Sequence, residues 1–397
     1  MKKILITGCG GYIGSIATAL FLEAGYGVVG IDNFSAGYRD PLELLAKKYP
    51  DTFRWYEQDL HDLKKEFFDK EKDISAVVHY ASPCVVSESM EDPAKYFDAM
   101  GAAATLLKIM DEVGLKTIIF SSTSAVYGDI DYLPIDEKHK VGPLNPYGFE
   151  KLTIEQMIQW YGQLKDFKYV IMRYFNACGA NDEGTMGYSK KPASHLVDNA
   201  VRGALGLSPF YLTCPKVDTP DGTPIRDYVN VVDLNNAHIK SLEYLLGGGT
   251  SEIINIGTGT GNSVLEIVQK VEEITGKPID KKQSEARKGE YAQAYADISK
   301  AERVLGWKPS HSIEDSVKSL VTWYTNMTVL LFTLIFLLAK PAHAYLDPGT
   351  GSYIFQVAVA TFLASGYFLR NKLSDVGAIV KKVTKKIGGK KNNDDKR

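Results

Sequence analysis

Cysteine is scarce and scattered. Its 4 residues, Cys9, Cys84, Cys178 and Cys214, form no Cys-x-x-Cys pair and no His/Cys group at metal-ligand spacing. That pattern argues against a disulfide framework or a metal centre and reads as reduced, cytosolic thiols. Excess charge is also missing: 46 Lys and Arg against 48 Asp and Glu give a formal net charge of -2, which offers no electrostatic case for binding nucleic acid. The chain opens without a long apolar leader, because Met1-Lys2-Lys3 runs straight into a short β-type stretch, so the body is expected in the cytoplasm. There is no internal repeat. At 397 residues the chain exceeds one average domain.

What the sequence does contain begins with Lys3-Ile4-Leu5-Ile6-Thr7, an apolar run that reads as a buried parallel strand. Gly8-Cys9-Gly10-Gly11-Tyr12-Ile13-Gly14 follows at once, and Ser15 to Ala24 read as a helix. Glycines let a backbone approach a pyrophosphate seated on the open N-terminus of the helix, where unpaired N–H groups favour anions. A second strand, Gly27 to Ile31, ends in Asp32, where a dinucleotide fold places the carboxylate that accepts ribose hydroxyls. Asp32 would repel a 2′-phosphate, which favours NAD over NADP, with Arg39 nearby keeping a case for NADP.

Further alternation predicts a doubly wound α/β sheet. Strands are expected at Phe53–Tyr56, Ile74–Tyr80 and Thr117–Phe120, and helices at about 93–113 and 146–163. Asp59 and the turn His79-Tyr80-Ala81-Ser82 fall just past strand C-termini, where ligands lie in such sheets, although caps or turn formers would look the same. Ser121-Ser122-Thr123 leaves a strand toward the same edge, as a hydroxyl cluster for a sugar oxygen or as a plain Ser/Thr turn. In Asn145-Pro146-Tyr147-Gly148-Phe149-Glu150-Lys151, Tyr147 and Lys151 share one helix face, so the ammonium can lie near the phenol and favour phenolate.

Taken in order, Thr7-Gly8-x-x-Gly11-x-x-Gly14, Asp32-Asn33, Asp59-Leu60, Ser121-Ser122-Thr123 before Val126-Tyr127-Gly128, Tyr147-x-x-x-Lys151, Arg173-Tyr174-Phe175-Asn176 and Arg226-Asp227-Tyr228 make a specific set. On these motifs residues 1 to about 325 resemble the UDP-galactose (UDP-glucose) 4-epimerases of the extended short-chain dehydrogenase/reductase family. The resemblance implies a Rossmann-type domain over 1–176, with contributions from later segments, and a smaller UDP-sugar-binding domain over 177–326. It implies that NAD is held by Gly8, Gly11, Tyr12, Ile13 and Gly14, by Asp32, Asn33, Asp59 and Leu60, by Tyr80, Ala81 and Ser82, and by Tyr147, Lys151 and Tyr174. The catalytic residues would be Thr123, Tyr147 and Lys151, with Tyr147 taking the proton of the sugar 4-hydroxyl as a transient 4-keto sugar forms. Thr123, Tyr147, Asn176, His195, Leu196, Tyr211, Arg226, Arg287, Glu290 and Ala294 would meet the UDP-sugar, and the protein would be a homodimer.

By itself His195 reads as a packed or solvent-facing residue. Related dehydratases carry an Asp-Glu pair after the strand-end Ser-Thr; Ser124-Ala125 stands here and favours epimerisation. The remaining readings are another extended short-chain dehydrogenase acting on a nucleotide sugar, and a non-catalytic NAD(H)-binding sensor.

Two positions depart from the family. Cys84 stands where a Lys often meets the cofactor pyrophosphate, and the segment Tyr96 to Met100, with Ala99, lacks a common Asn. Ala294 lies seven residues after Arg287, where the family sets a bulky Tyr to restrict the pocket to plain hexoses or a small residue to admit N-acetylated ones.

Beyond about 326 the composition changes. Thr328–Ala339 and Tyr353–Leu369 are apolar runs of about 18 and 25 Å as helices, against a bilayer core of about 30 Å, and a Lys-rich end follows. The first has signal-peptide proportions and Met327 looks like an internal start, so residues 327–397 read as a fused small membrane protein associating through 328–369. A core helix followed by a disordered basic end is the other reading.

Overall fold

A computed structural model of the chain describes residues 1–189, 194–284 and 292–338, the last eleven of these by backbone alone. Its centre is a parallel seven-stranded sheet of β1 (Lys3–Thr7), β2 (Gly27–Asp32), β3 (Phe53–Glu57), β4 (Ile74–His79), β5 (Thr117–Thr123), β6 (Lys168–Tyr174) and, after the short β7 (Asn176–Cys178), β8 (Phe210–Leu212) and β9 (Ile225–Asn230), β10 (Glu252–Ile256). The order across it is β10-β6-β5-β4-β1-β2-β3, which reverses direction between β1 and β4. Ligands of open α/β sheets bind at that reversal, outside the C-terminal strand ends.

Helices cover both faces because the strands are apolar on both. Ile4 and Ile6 pack with α1 (Tyr12–Glu23), while Leu5, pointing the other way, packs with α5 (Pro93–Glu112) and α6 (Pro146–Lys165). Between them run α2 (Asp40–Lys48), α3 (Lys65–Lys70) and α4 (Val86–Glu91). The sequence places irregular structure after residue 176, yet α8 (Val231–Leu246), following α7 (Leu196–Ala204), returns to the face of Ile4 and Ile6 and leads into β10. Their apolar residues are read by tertiary packing, not by local periodicity, which is why the alternation was not visible there.

A second, four-stranded sheet joins β9 to β7, β11 (Gly261–Ser263) and β13 (Gln293–Ala294), while β8 pairs with β12 (Lys281–Gln283). α9 (Val264–Thr275) starts on a Ser263/Glu266 capping box and stops at Gly276 in the left-handed region.

Two devices fix α6 over the sheet edge. Asn145 caps it by accepting from Gly148 N–H at 2.8 Å, with Pro146 in the first turn. Below, Arg173 of β6 donates to both oxygens of the fully buried Glu155, the shortest contact being 2.6 Å, and Ser122 of β5 donates to the same carboxylate. Removing one partner strands a buried charge, so Glu155→Ala is expected to cost about 3–5 kcal/mol, read as a fall in urea midpoint at unchanged m-value.

After α10 (Ser299–Leu305), helix α11 runs from Ile313 to Leu338 without a break at Met327. Met327 lies inside this helix, which continues to Leu338. Among the described residues no helix is long and apolar enough to cross a membrane. The apolar run Tyr353–Leu369 and the Lys-rich end lie outside the described residues. The chain forms one unit from Met1 to Leu331 and a second from Phe332 to Arg397, of which residues 332–338 are helical.

Candidate active site

One cavity of about 870 Å³ opens along the C-terminal strand ends. Register explains the convergence: Thr7 pairs with Ile31 and His79, and Thr123 pairs with Tyr174, so β1, β2, β4, β5 and β6 deliver their last residues to one line.

On one side the glycine turn forms the wall. Gly8 has a φ of 75°, and a Cβ there would stand 2.7 Å from Ala81 N; one on Gly14 would meet the Gly8 carbonyl oxygen at 2.1 Å. Only glycine permits that closeness, and α1 begins at Tyr12 after Gly11 with no side chain capping its first N–H groups. A pyrophosphate fits such an end. Asp32 accepts from Gly10 N–H at 2.8 Å and Phe34 N–H at 2.7 Å and still lines the cavity. Burial pushes its carboxyl up, while those two amides and Arg39 pull it back. Asn33 donates to Asp59 at 2.7 Å. Arg39 forms an ion pair with Glu57 and lies 4.4 Å from the centre of the Phe34 ring, an arrangement that engages the cation held open for NADP. The residues present therefore fit an NAD adenosine and pyrophosphate.

In the middle stand Thr123, Tyr147 and Lys151, all buried and all lining the cavity. Burial drives the Tyr147 phenol well above its ordinary range, Tyr174 adds to this, and the Thr123 side chain beside it opposes. The sequence expectation was that Lys151 would favour phenolate. The Lys151 Nζ lies 5.1 Å from the centre of the Phe120 ring and makes no hydrogen bond or ion pair among the described residues, and desolvation is the largest influence on the phenol. Lys151 also acts below: burial first and this ammonium second hold His79 down to about 3, so its imidazole is neutral and shares a 2.7 Å hydrogen bond with Thr7.

On the far side β9 and β13 pair Arg226 with Ala294, and both reach the cavity. Tyr295 does not line it; a Cβ on Gly261 would lie 3.4 Å from its ring, and its carbonyl accepts from Ile135 N–H at 3.0 Å. His195 stands at the N-terminus of α7 in an aromatic group with Tyr12 and Tyr188, and the Tyr12 hydroxyl donates to the Gly179 carbonyl at 2.6 Å. Asn176 donates to the Asp227 carbonyl at 3.2 Å.

The cavity thus gathers Gly8, Gly11, Tyr12, Ile13, Gly14, Asn33, Asp59, Leu60, Tyr80, Ala81, Ser82, Tyr174, Asn176 and His195 with the residues above. Leu196 and Tyr211 stand outside it: Leu196 packs in the cluster beneath α7, and Tyr211 is 51% exposed on β8. Arg287 and Glu290 lie outside the described residues. Tyr188 and Asn235 were missed. Tyr188 lines the cavity, and Asn235 of α8 accepts from the Tyr80 hydroxyl at 3.0 Å and donates to the Ile13 carbonyl at 3.3 Å; neither belongs to a local motif. Among the described residues no His, Cys, Asp and Glu group could hold a metal ion.

The family described as GDP-mannose 4,6 dehydratase matches residues 5–320. UDP-glucose 4-epimerase of Lacticaseibacillus casei is 38% identical over 326 residues, 81% of this chain and 97% of its own length. The chain belongs to the UDP-glucose 4-epimerase family. Among epimerase structures, that from Stenotrophomonas maltophila with bound NAD and formylated UDP-arabinopyranose superposes with a TM-score of 0.79 at 32% identity, over 83% of this chain and 100% of that one. The UDP-Glc/GlcNAc 4-epimerase of Campylobacter jejuni gives 0.71 at 33% identity, over 82% and 99%. The absent Asp-Glu pair agrees with the epimerase branch of this broad family, since Ser124 and Ala125 line the cavity in its place.

Proposed function

We infer that this chain is an NAD-dependent isomerase that inverts C4 of UDP-hexoses. The observation that carries it is the meeting, in one cavity, of Thr123, Tyr147 and Lys151 with the glycine turn and Asp32. NAD held by the glycine turn, Asp32 and Lys151 would supply reversible hydride acceptance at C4, with return to the opposite face of the 4-keto sugar giving the inverted product. Tyr147 removes the 4-hydroxyl proton and later gives it back, and Thr123 donates a hydrogen bond to the same oxygen. Lys151 holds the nicotinamide ribose, and its charge stabilises the Tyr147 phenolate as it forms. Asp32 and Asn33 hold the adenosine ribose; Arg226, with Arg287, clamps the diphosphate through paired guanidinium hydrogen bonds. His195 and Asn176, with Glu290, complete the UDP-sugar contacts within the cavity, and Leu196 and Tyr211 could reach only a part of the nucleotide that extends beyond it. Purified protein given UDP-galactose should form UDP-glucose; NAD-loaded protein that converts no UDP-sugar would refute the reading.

Residues 1–176, with α8 and β10, carry the cofactor, and 177–326 the sugar nucleotide. The body is cytoplasmic, in keeping with Cys9 and Cys178 buried as thiols. A homodimer uses α5 and α6, where Phe97 and Phe149 are exposed and meet edge to face at 6.0 Å, and Trp160 and Leu164 are exposed further along α6. Burying such a surface is the expected gain of association. The tail from 327 associates with membranes through 328–369. Full-length protein should therefore sediment with membranes and a chain ending at Asn326 stay in the supernatant, active; full-length protein found soluble without detergent would overturn the tail reading.

A further inference from the structure

Between β4 and α5, residues 82–91 run along the cavity as a strap, and Pro83, Cys84, Val85, Val86, Ser87 and Glu88 all line it. The strap starts against the glycine turn, where Ala81 N would stand 2.7 Å from a Cβ on Gly8. Its outer residues cover without being covered: Cys84 is exposed, and Val86 and Met90 are 44% and 62% exposed.

Two helices hold it. The Tyr96 side chain of α5 is fully buried; its hydroxyl accepts from Val85 N–H at 3.1 Å, donates to the Val85 carbonyl at 2.6 Å, and has a Glu88 carboxylate oxygen at 3.0 Å. Lys95, also of α5, pairs with the other Glu88 oxygen at 2.7 Å. From α6, the fully buried Glu150 accepts from the Ser82 hydroxyl at 2.9 Å, and its second oxygen has no hydrogen-bond partner among the described residues. The Tyr96 ring stands edge-on to Tyr147 at 6.2 Å. The Lys95–Glu88 pair is about one-third exposed on each side and contributes little. The buried Tyr96 hydroxyl and Glu150 carboxylate are the stronger ties, because breaking either leaves buried polar groups unsatisfied.

We propose that residues 82–91 form a retaining strap over the dinucleotide half of the cavity, and that Tyr96 and Glu150 are the positioning residues that keep it closed. The proposal rests on the NAD reading. A strap held by neutral and anionic groups from α5 and α6 retains the cofactor by closing over it. It therefore acts on the rate of cofactor release more than on sugar binding. It also ties retention to the helix that carries Tyr147 and Lys151.

The test is NAD release, followed by fluorescence after dilution of the loaded protein, in wild type, Tyr96→Phe, Glu150→Gln and Glu88→Gln, beside the KM for UDP-galactose. Tyr96→Phe keeps the ring against Tyr147 and removes only the hydroxyl. It should speed release on the order of tenfold or more, with KM moving by less than about twofold. Glu150→Gln keeps the Ser82 contact and removes the buried charge, and Glu88→Gln leaves Tyr96 in place, so each should change release less than Tyr96→Phe does. Release unchanged in Tyr96→Phe, or a KM that rises in step with release, overturns the strap. Wild type that holds no NAD overturns the cofactor reading itself. Should Tyr96→Phe fold poorly, Ser82→Ala tests the other tie: unchanged release there also overturns the proposal.

Discussion

Tyr147→Phe should lower turnover of UDP-galactose by roughly 10²-fold or more, the ordinary scale of general acid–base catalysis. The phenol oxygen is the only atom removed, and the ring keeps its edge contact with Tyr96, so the expected loss is chemical and the fold and NAD content should persist. The phenol sits well above its ordinary titration range because it is buried, and a base must be deprotonated to act. Activity of the wild type should accordingly rise with pH across the neutral and mildly alkaline range, and the residual activity of the Phe variant should lack that rise. Near-normal turnover in the variant, or an unchanged pH dependence, would remove Tyr147 from the role of base. The effect of Lys151 is separable: its ammonium lies against Phe120, so Lys151→Met should weaken NAD binding as well as turnover.

Local chemistry made the cofactor half of the site readable. Gly8 and Gly14 are required by close backbone contacts, Asp32 stands at the end of β2, and Tyr147 and Lys151 share one helical face, and each of these leaves a mark within a few residues of sequence. What joins distant segments leaves no such mark. Asn235 reaches Tyr80 across 155 positions, and Glu155, Arg173 and Ser122 lock α6 to two strands, yet neither link shows in spacing or periodicity. The same reason hid the return of α8 and β10 to the first sheet: their place depends on the sheet they complete. The i,i+4 spacing of Tyr147 and Lys151 fixes a direction on a helix but not burial, and burial dominates the Tyr147 phenol.

Ala294 should let the enzyme interconvert N-acetylated UDP-hexoses along with plain ones. It is 8% exposed, lines the cavity and pairs in register with Arg226, the residue proposed for the diphosphate, which makes it part of the wall on the substrate side. A Tyr there would fill space that an acetamide needs, and overpacking is costly because interiors are close-packed. Tyr295 does not supply the missing ring: it is packed toward Gly261 and its backbone is tied to Ile135. The Campylobacter jejuni relative is described as a UDP-Glc/GlcNAc 4-epimerase. In Ala294→Tyr, kcat/KM for UDP-N-acetylglucosamine should fall about 10- to 200-fold, the range set by one poorly fitted group, while the value for UDP-glucose changes far less. Wild type that rejects the N-acetylated sugars, or a Tyr variant that accepts them as readily as before, would show that Ala294 does not set the pocket.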